Sequence, residues 1–75
     1  MIEILFGKIG KIIKGKHINC YVKFEDDTAY TGGYYVLISK TIEFDNEVYD
    51  DWLENKTDLE KYIMEKKWEV QWEED

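Results

Sequence analysis

The apolar pattern of this chain predicts an α+β domain: a small antiparallel or mixed sheet of 3–4 strands with two helices on one face. Three observations carry that expectation. Residues 2–14 repeat their apolar side chains at a period near 3.6. Residues 19–25 and 68–72 alternate with a period of two. Thr57 is followed three residues later by Glu60, the signature of a helix entrance. The expected order is helix, strand, strand, extended segment, helix, strand. Seventy-five residues make one domain, residues 1–75, too small to enclose a deep active site within its core.

Each element has its own justification. Ile2, Leu5, Phe6, Ile9, Ile12 and Ile13 fall on one face of a helix over 2–14, with Lys8, Lys11 and Lys14 away from that stripe and Gly15 as its stop. Gly7 and Gly10 oppose this reading, at a cost of ~1 kcal/mol each, and a hairpin with "GKIG" as its turn is the rival. In "NCYVKFE" (19–25), Cys20, Val22 and Phe24 point one way and Tyr21, Lys23 and Glu25 the other. "DDTAYTGG" (26–33) is turn chemistry. "YYVLIS" (34–39) is apolar on both faces and suits a central strand. "TIEF" (41–44) reads as a short extended piece, 45–48 as loop, and "YDDWLE" (49–54) as a strand or a structured loop. The second helix begins at Thr57, buries Leu59, Tyr62 and Ile63, and ends near Lys66–Lys67, whose charges suit the negative end of its dipole. In "WEVQW" (68–72), Trp68, Val70 and Trp72 point inward.

Composition excludes several classes of protein. A single cysteine, Cys20, cannot form an intramolecular disulfide, so a disulfide-stapled secreted scaffold is out. Glu3 stands where a signal peptide would carry a basic residue, and the apolar run Ile4–Phe6 is short for a membrane span. The expectation is a soluble cytoplasmic protein. Charge is divided unevenly. Residues 1–40 hold six lysines and four acids, a net of +2; residues 41–75 hold four lysines and thirteen acids, a net of −9. The acidic half repels nucleic-acid phosphates and steers toward a basic protein surface. The lysines of the first segment read as ordinary solvated residues, and the chain has no arginine.

No constellation in the sequence meets the demands of a known chemistry. A cysteine nucleophile needs a neighbouring imidazole and a third group to orient it, whereas "HINC" provides only His17 and Cys20, with Cys20 in phase with the strand's core face. "DNEVYDDWLENK" has acids at its first, third, sixth and seventh positions. It lacks the central glycine of a calcium loop and ends on Lys56 instead of glutamate. The chain is therefore expected not to be an enzyme and to need no cofactor or metal.

What stands out is the mixing of acid with large aromatic rings between Asp45 and Glu54. Asp45, Glu47, Tyr49, Asp50, Asp51, Trp52 and Glu54 are the candidate partner-binding residues. Tyrosine and tryptophan anchor interfaces, and carboxylates around them meet lysine and arginine on a partner. The plainer reading packs Trp52 and Leu53 beneath the second helix with the acids in water. Tyr21, Tyr35 and Leu37 raise the same question, since they alternate toward the sheet's uncovered side.

The segment "TGGYYVLIS" followed by "YDDWLENKTDLEKYIMEKKWEVQW", residues 31–72, resembles a pattern in small acidic bacterial proteins found among toxin-immunity proteins. There a Gly-Gly-aromatic strand precedes an acidic Asp-Trp segment, a capped helix and a terminal Trp-x-Val-x-Trp-like strand. The resemblance implies a non-enzymatic, protein-binding inhibitor that neutralises a basic, nuclease-type toxin, with Asp50, Asp51 and Trp52 foremost. Two alternatives remain open: a phage-type nucleic-acid mimic acting on a host defence enzyme, such as an anti-CRISPR, and a small metal-binding protein using the Asp clusters.

Overall fold

The alternation within residues 19–25 and 34–39 does mark two strands, and a computed structural model of the chain, which describes residues 3–45 and 47–73, joins them to three more. The first is displaced, running over Tyr21–Asp27, because Asn19 turns with φ +74° and Asp26–Asp27, expected as turn, extend the strand. Among the described residues, β1 spans Ile9–Lys14, β2 Tyr21–Asp27, β3 Gly33–Ser39, β4 Val48–Leu53 and β5 Glu69–Trp72, with one helix, α1, over Lys56–Lys66. They form a single sheet in the order β4-β3-β2-β1-β5, and every neighbouring pair is antiparallel. The chain thus meanders through four strands, leaves at one edge and returns at the other.

That return explains the helix. Joining β4 to β5 means crossing the sheet's whole width, four strand spacings or about 19 Å. The 11-residue α1 is about 16 Å long, so one helix spans most of the distance and covers one face. Beneath it lie Ile12, Val22, Phe24, Val36 and Ile38, sealed by Leu59 and Ile63 of the helix and by Trp68 just after it. The Trp68 indole N–H donates to the Lys16 carbonyl, and its ring meets Tyr62 edge-on at 5.6 Å.

The expected α+β class with two helices is not the fold. The described residues form a five-stranded antiparallel sheet with a single helix. The error lies in residues 2–14. Ile2 falls outside the described residues; Ile4 and Phe6 pack irregularly against the core, with Phe6 stacked on Tyr34; and Ile9–Lys14 is a strand that pairs on both sides. Gly10 decides the matter. It faces Trp72 in register, and a Cβ there would collide with Val70 and come within 2.9 Å of the Trp72 ring. Its missing side chain admits a neighbouring strand, whereas in a helix it would only be a weakness. Gly15 ends this strand with φ +100° and does not stop a helix.

Two smaller corrections follow the same logic. Residues 41–44 turn back on themselves, Phe44 donating to the Thr41 carbonyl at 3.3 Å with φ +54°, so they are not extended. The helix is capped two residues earlier than Thr57. Asn55 is its N-cap, and its side-chain oxygen accepts from the Asp58 N–H at 2.8 Å, a role asparagine fills at least as well as threonine. The C-terminal end agrees with expectation: Lys67 caps the helix in the left-handed region, and Trp68 is buried while Glu69 and Gln71 face water. Cys20 is half-buried at the core's margin and unpaired. Among the described residues no helix is long and apolar enough to cross a membrane.

Candidate functional site

The acidic, aromatic stretch becomes β4 and its two flanks, and β4 is an edge strand with β3 as its one neighbour among the described residues. Its register pairs Tyr35 with Trp52, Val36 with Asp51, Leu37 with Asp50 and Ile38 with Tyr49. Directly opposed residues share a face. Trp52 and Asp50 therefore lie on the open face with Tyr35 and Leu37, while Tyr49 and Asp51 lie on the helix face with Ile38 and Val36.

The seven candidate residues accordingly do not form one surface. Asp50 and Trp52 share the open face. On the helix side, the Tyr62 hydroxyl donates to Asp51 Oδ2 at 2.6 Å, tying the edge strand to α1. Burial first, then the hydrogen bond to Asp51 and its negative charge, push the Tyr62 phenol well above its ordinary value of 10. The Lys66 ammonium sits 4.9 Å from the same ring's centroid. Tyr49 is 61% exposed. Asp45 and Glu47 line an open concavity of about 650 Å³ with Ser39, Lys40 and Thr41, and the Thr41 hydroxyl donates to Asp45 at 3.1 Å. Glu54 is exposed between β4 and the helix cap.

Trp52 is the best-defined element of the open face. It does not pack beneath the helix; Leu53, on the other face, packs against the core instead. The Trp52 indole N–H donates to the Thr31 hydroxyl at 2.8 Å, and its ring lies across Gly33, where a Cβ would come within 2.5 Å of Cε2 and Cζ2. The residue remains 44% exposed. It is held in place while a large part of its surface stays in water, which lowers the entropy lost when it enters an interface.

Around Trp52 the open face is mixed in chemistry. Tyr35, Leu37 and Tyr21 are each half-buried there; Tyr35 stands opposite Trp52, whereas Tyr21 lies on β2, opposite Ser39. Lys23 and Glu25 form a 3.1 Å ion pair, and Lys11 stands opposite Tyr21 on β1. Lysines thus occupy the β1–β2 side, and Asp50 brings acid to the β4 side. Thr31 and Gly33 are the residues that sequence reasoning missed as parts of this site. The signal was "TGG" beside a strand: its second glycine lies on the open face two residues before Tyr35, the register partner of Trp52, and leaves room for that ring.

His17 and Cys20 line a smaller cavity of about 180 Å³ with Ile38, Ser39, Lys40 and Tyr49. The Cys20 N–H donates to the His17 carbonyl, and among the described residues no side-chain hydrogen bond orients the imidazole. Desolvation, then the Lys66 and Lys16 ammoniums, hold His17 below its ordinary value, with Asp51 acting in the opposite sense. Among the described residues no three His, Cys, Asp or Glu side chains gather closely enough to hold a metal ion. No protein-family model, curated protein or solved structure matches the chain.

Proposed function

We propose that this protein is a non-enzymatic, acidic inhibitor that binds and neutralises a basic protein partner of the nuclease-toxin type. The observation that carries the reading is the exposed edge strand β4. It presents Asp50 beside the pinned, half-exposed Trp52, with Glu47 and Glu54 exposed at its ends. A basic nucleic-acid groove complements such a surface in charge, and the −9 half of the chain accelerates the encounter over a distance set by ionic strength.

The test is co-expression with basic nucleases encoded beside its gene, scored by survival of the host cells, followed by binding kinetics with any nuclease that it neutralises. Association should be fast and fall steeply with salt. Asp50→Asn and Asp51→Asn should slow it and flatten the salt dependence, because rim charges act chiefly on the encounter. Trp52→Ala should speed dissociation at a cost of about 2 kcal/mol or more, the scale of an interface hot spot. Wild-type association by both Asp variants at low salt would sink the reading.

A further inference from the structure

The edge of β4 offers a second kind of recognition besides its side chains. Its six residues pair, among the described residues, with β3 on one side only. Among the described residues, no backbone hydrogen bond outside the sheet ladder involves residues 48–53. Residues 49–52 are all exposed. A strand in this state displays alternate N–H and C=O groups that an incoming extended chain can satisfy. The geometry points to β4 as a strand-addition site for an extended segment of the partner that carries two consecutive basic residues. This rests on the basic-partner reading above and specifies how the partner docks.

The charges choose the occupant. Asp50 and Asp51 are consecutive, so they flank the edge on opposite faces. An added strand places consecutive residues on opposite faces too. A Lys-Lys or Lys-Arg pair set against them meets one carboxylate on each face. The residues on either side of that pair then lie beside Trp52 on the open face and Tyr49 on the helix face, where apolar or β-branched side chains fit.

A second copy of this chain does not fit. Antiparallel pairing of β4 with itself that keeps both open faces on the same side must centre on a residue opposite its own copy. Centred on Asp50 or on Asp51, it opposes that aspartate to itself. Centred on Tyr49, it opposes Asp51 to Glu47; centred on Trp52, it opposes Asp50 to Glu54. Every central register sets like charges directly across from each other, which destabilises the pair. The same acids that invite a basic strand therefore discourage edge-to-edge self-association.

The probe is a capped hexapeptide of sequence TVKKVT, titrated to millimolar concentration at low salt and followed by amide chemical shifts and hydrogen exchange of the protein. Two isomers are compared with it, each N-methylated at one of the two alternating sets of backbone amides, so that charge is kept and one edge of the peptide is blocked. Slowed exchange at alternate β4 amides is expected. One isomer should lose at least about tenfold in affinity while the other binds like the parent, because only one edge of a strand faces its neighbour. A TVEEVT peptide should not bind. Equal binding by both isomers, weakened by Asp50→Asn, would overturn strand addition and leave the basic-partner reading standing. No response to TVKKVT alongside a clear response to oligolysine would do the same. Silence toward both would overturn both. A dimer at pH 7 with its β4 amides protected would also refute the proposal.

Discussion

Trp68 and Trp52 both donate an indole hydrogen bond and both pack against ordered neighbours, yet they lie on opposite faces of one sheet and serve opposite ends. Trp68 is 4% exposed and closes the core under α1. Trp52 stays 44% exposed, pinned by Thr31 and Gly33 on the open face. The same division runs between adjacent aspartates. Asp51 is bonded to Tyr62 of the helix, whereas Asp50 faces away from it. One residue step along a strand moves an exposed carboxylate from beside the helix's phenol to the open face. An acidic cluster in sequence is therefore not an acidic cluster in space.

The sharpest break in this comparison comes from truncating the two tryptophans. Trp68→Ala should cost roughly 3–5 kcal/mol, the usual loss for a large buried aromatic. Trp52→Ala should cost roughly 1–2 kcal/mol, since only part of its surface leaves water on folding. Urea unfolding of both variants measures the gap, and equal losses would mean that Trp52 belongs to the core after all.

The cover itself comes next. Asn55→Ala removes the cap of the helix that shields the Trp68 face and should lower stability by roughly 0.5–2 kcal/mol. Thr57→Ala, two residues into the helix, should stay within about 0.5 kcal/mol of wild type. Reversal of that ranking in thermal or chemical denaturation would move the helix start to Thr57.

The smallest effect separates the aspartates. Asp51→Asn should cost about 1 kcal/mol through its partly exposed bond to Tyr62, and Asp50→Asn should be neutral within about 0.5 kcal/mol. Alkaline pH provides a second measure. The Tyr62 phenol is raised in the folded state, so the folded protein holds that proton more tightly than the unfolded chain does. The stability this contributes is complete below the unfolded value of 10 and is lost as pH rises above it toward the folded value. Tyr62→Phe should lose less stability than wild type between pH 8 and pH 10.5 in urea melts. Matching losses would remove the Tyr62–Asp51 contact from the account.

Legibility followed the physics of each segment. The alternation in residues 19–25, 34–39 and 68–72 survived because a half-buried strand writes its period directly into the chain. Lys66–Lys67 marked a helix end for the same local reason. The segment over 2–14 misled because Ile9, Ile12 and Ile13 satisfy a helical stripe, while the partners that make Ile9–Lys14 a strand lie at Tyr21–Lys23 and at Glu69–Trp72. No local period reveals a neighbour sixty residues away. At the site, the presence of Trp52 and its acids was readable. Their division between faces was not, because "YDDWLE" carries no apolar alternation strong enough to declare which side meets the core.

By itself, the sequence determined the single-cysteine chemistry, the imbalance of charge between its halves, the positions of three strands and the end of the helix. These depend on composition or on neighbours within a few residues. Tertiary structure alone decided that β5 pairs with β1, that β4 is left as an edge, that Trp52 rests on Gly33, and that Asp51 bonds Tyr62 of the helix while Asp50 lies on the open face. Each of these is a choice of partner distant in the chain, made by burying the most apolar surface at once. Such a choice exists only when all the strands are present together.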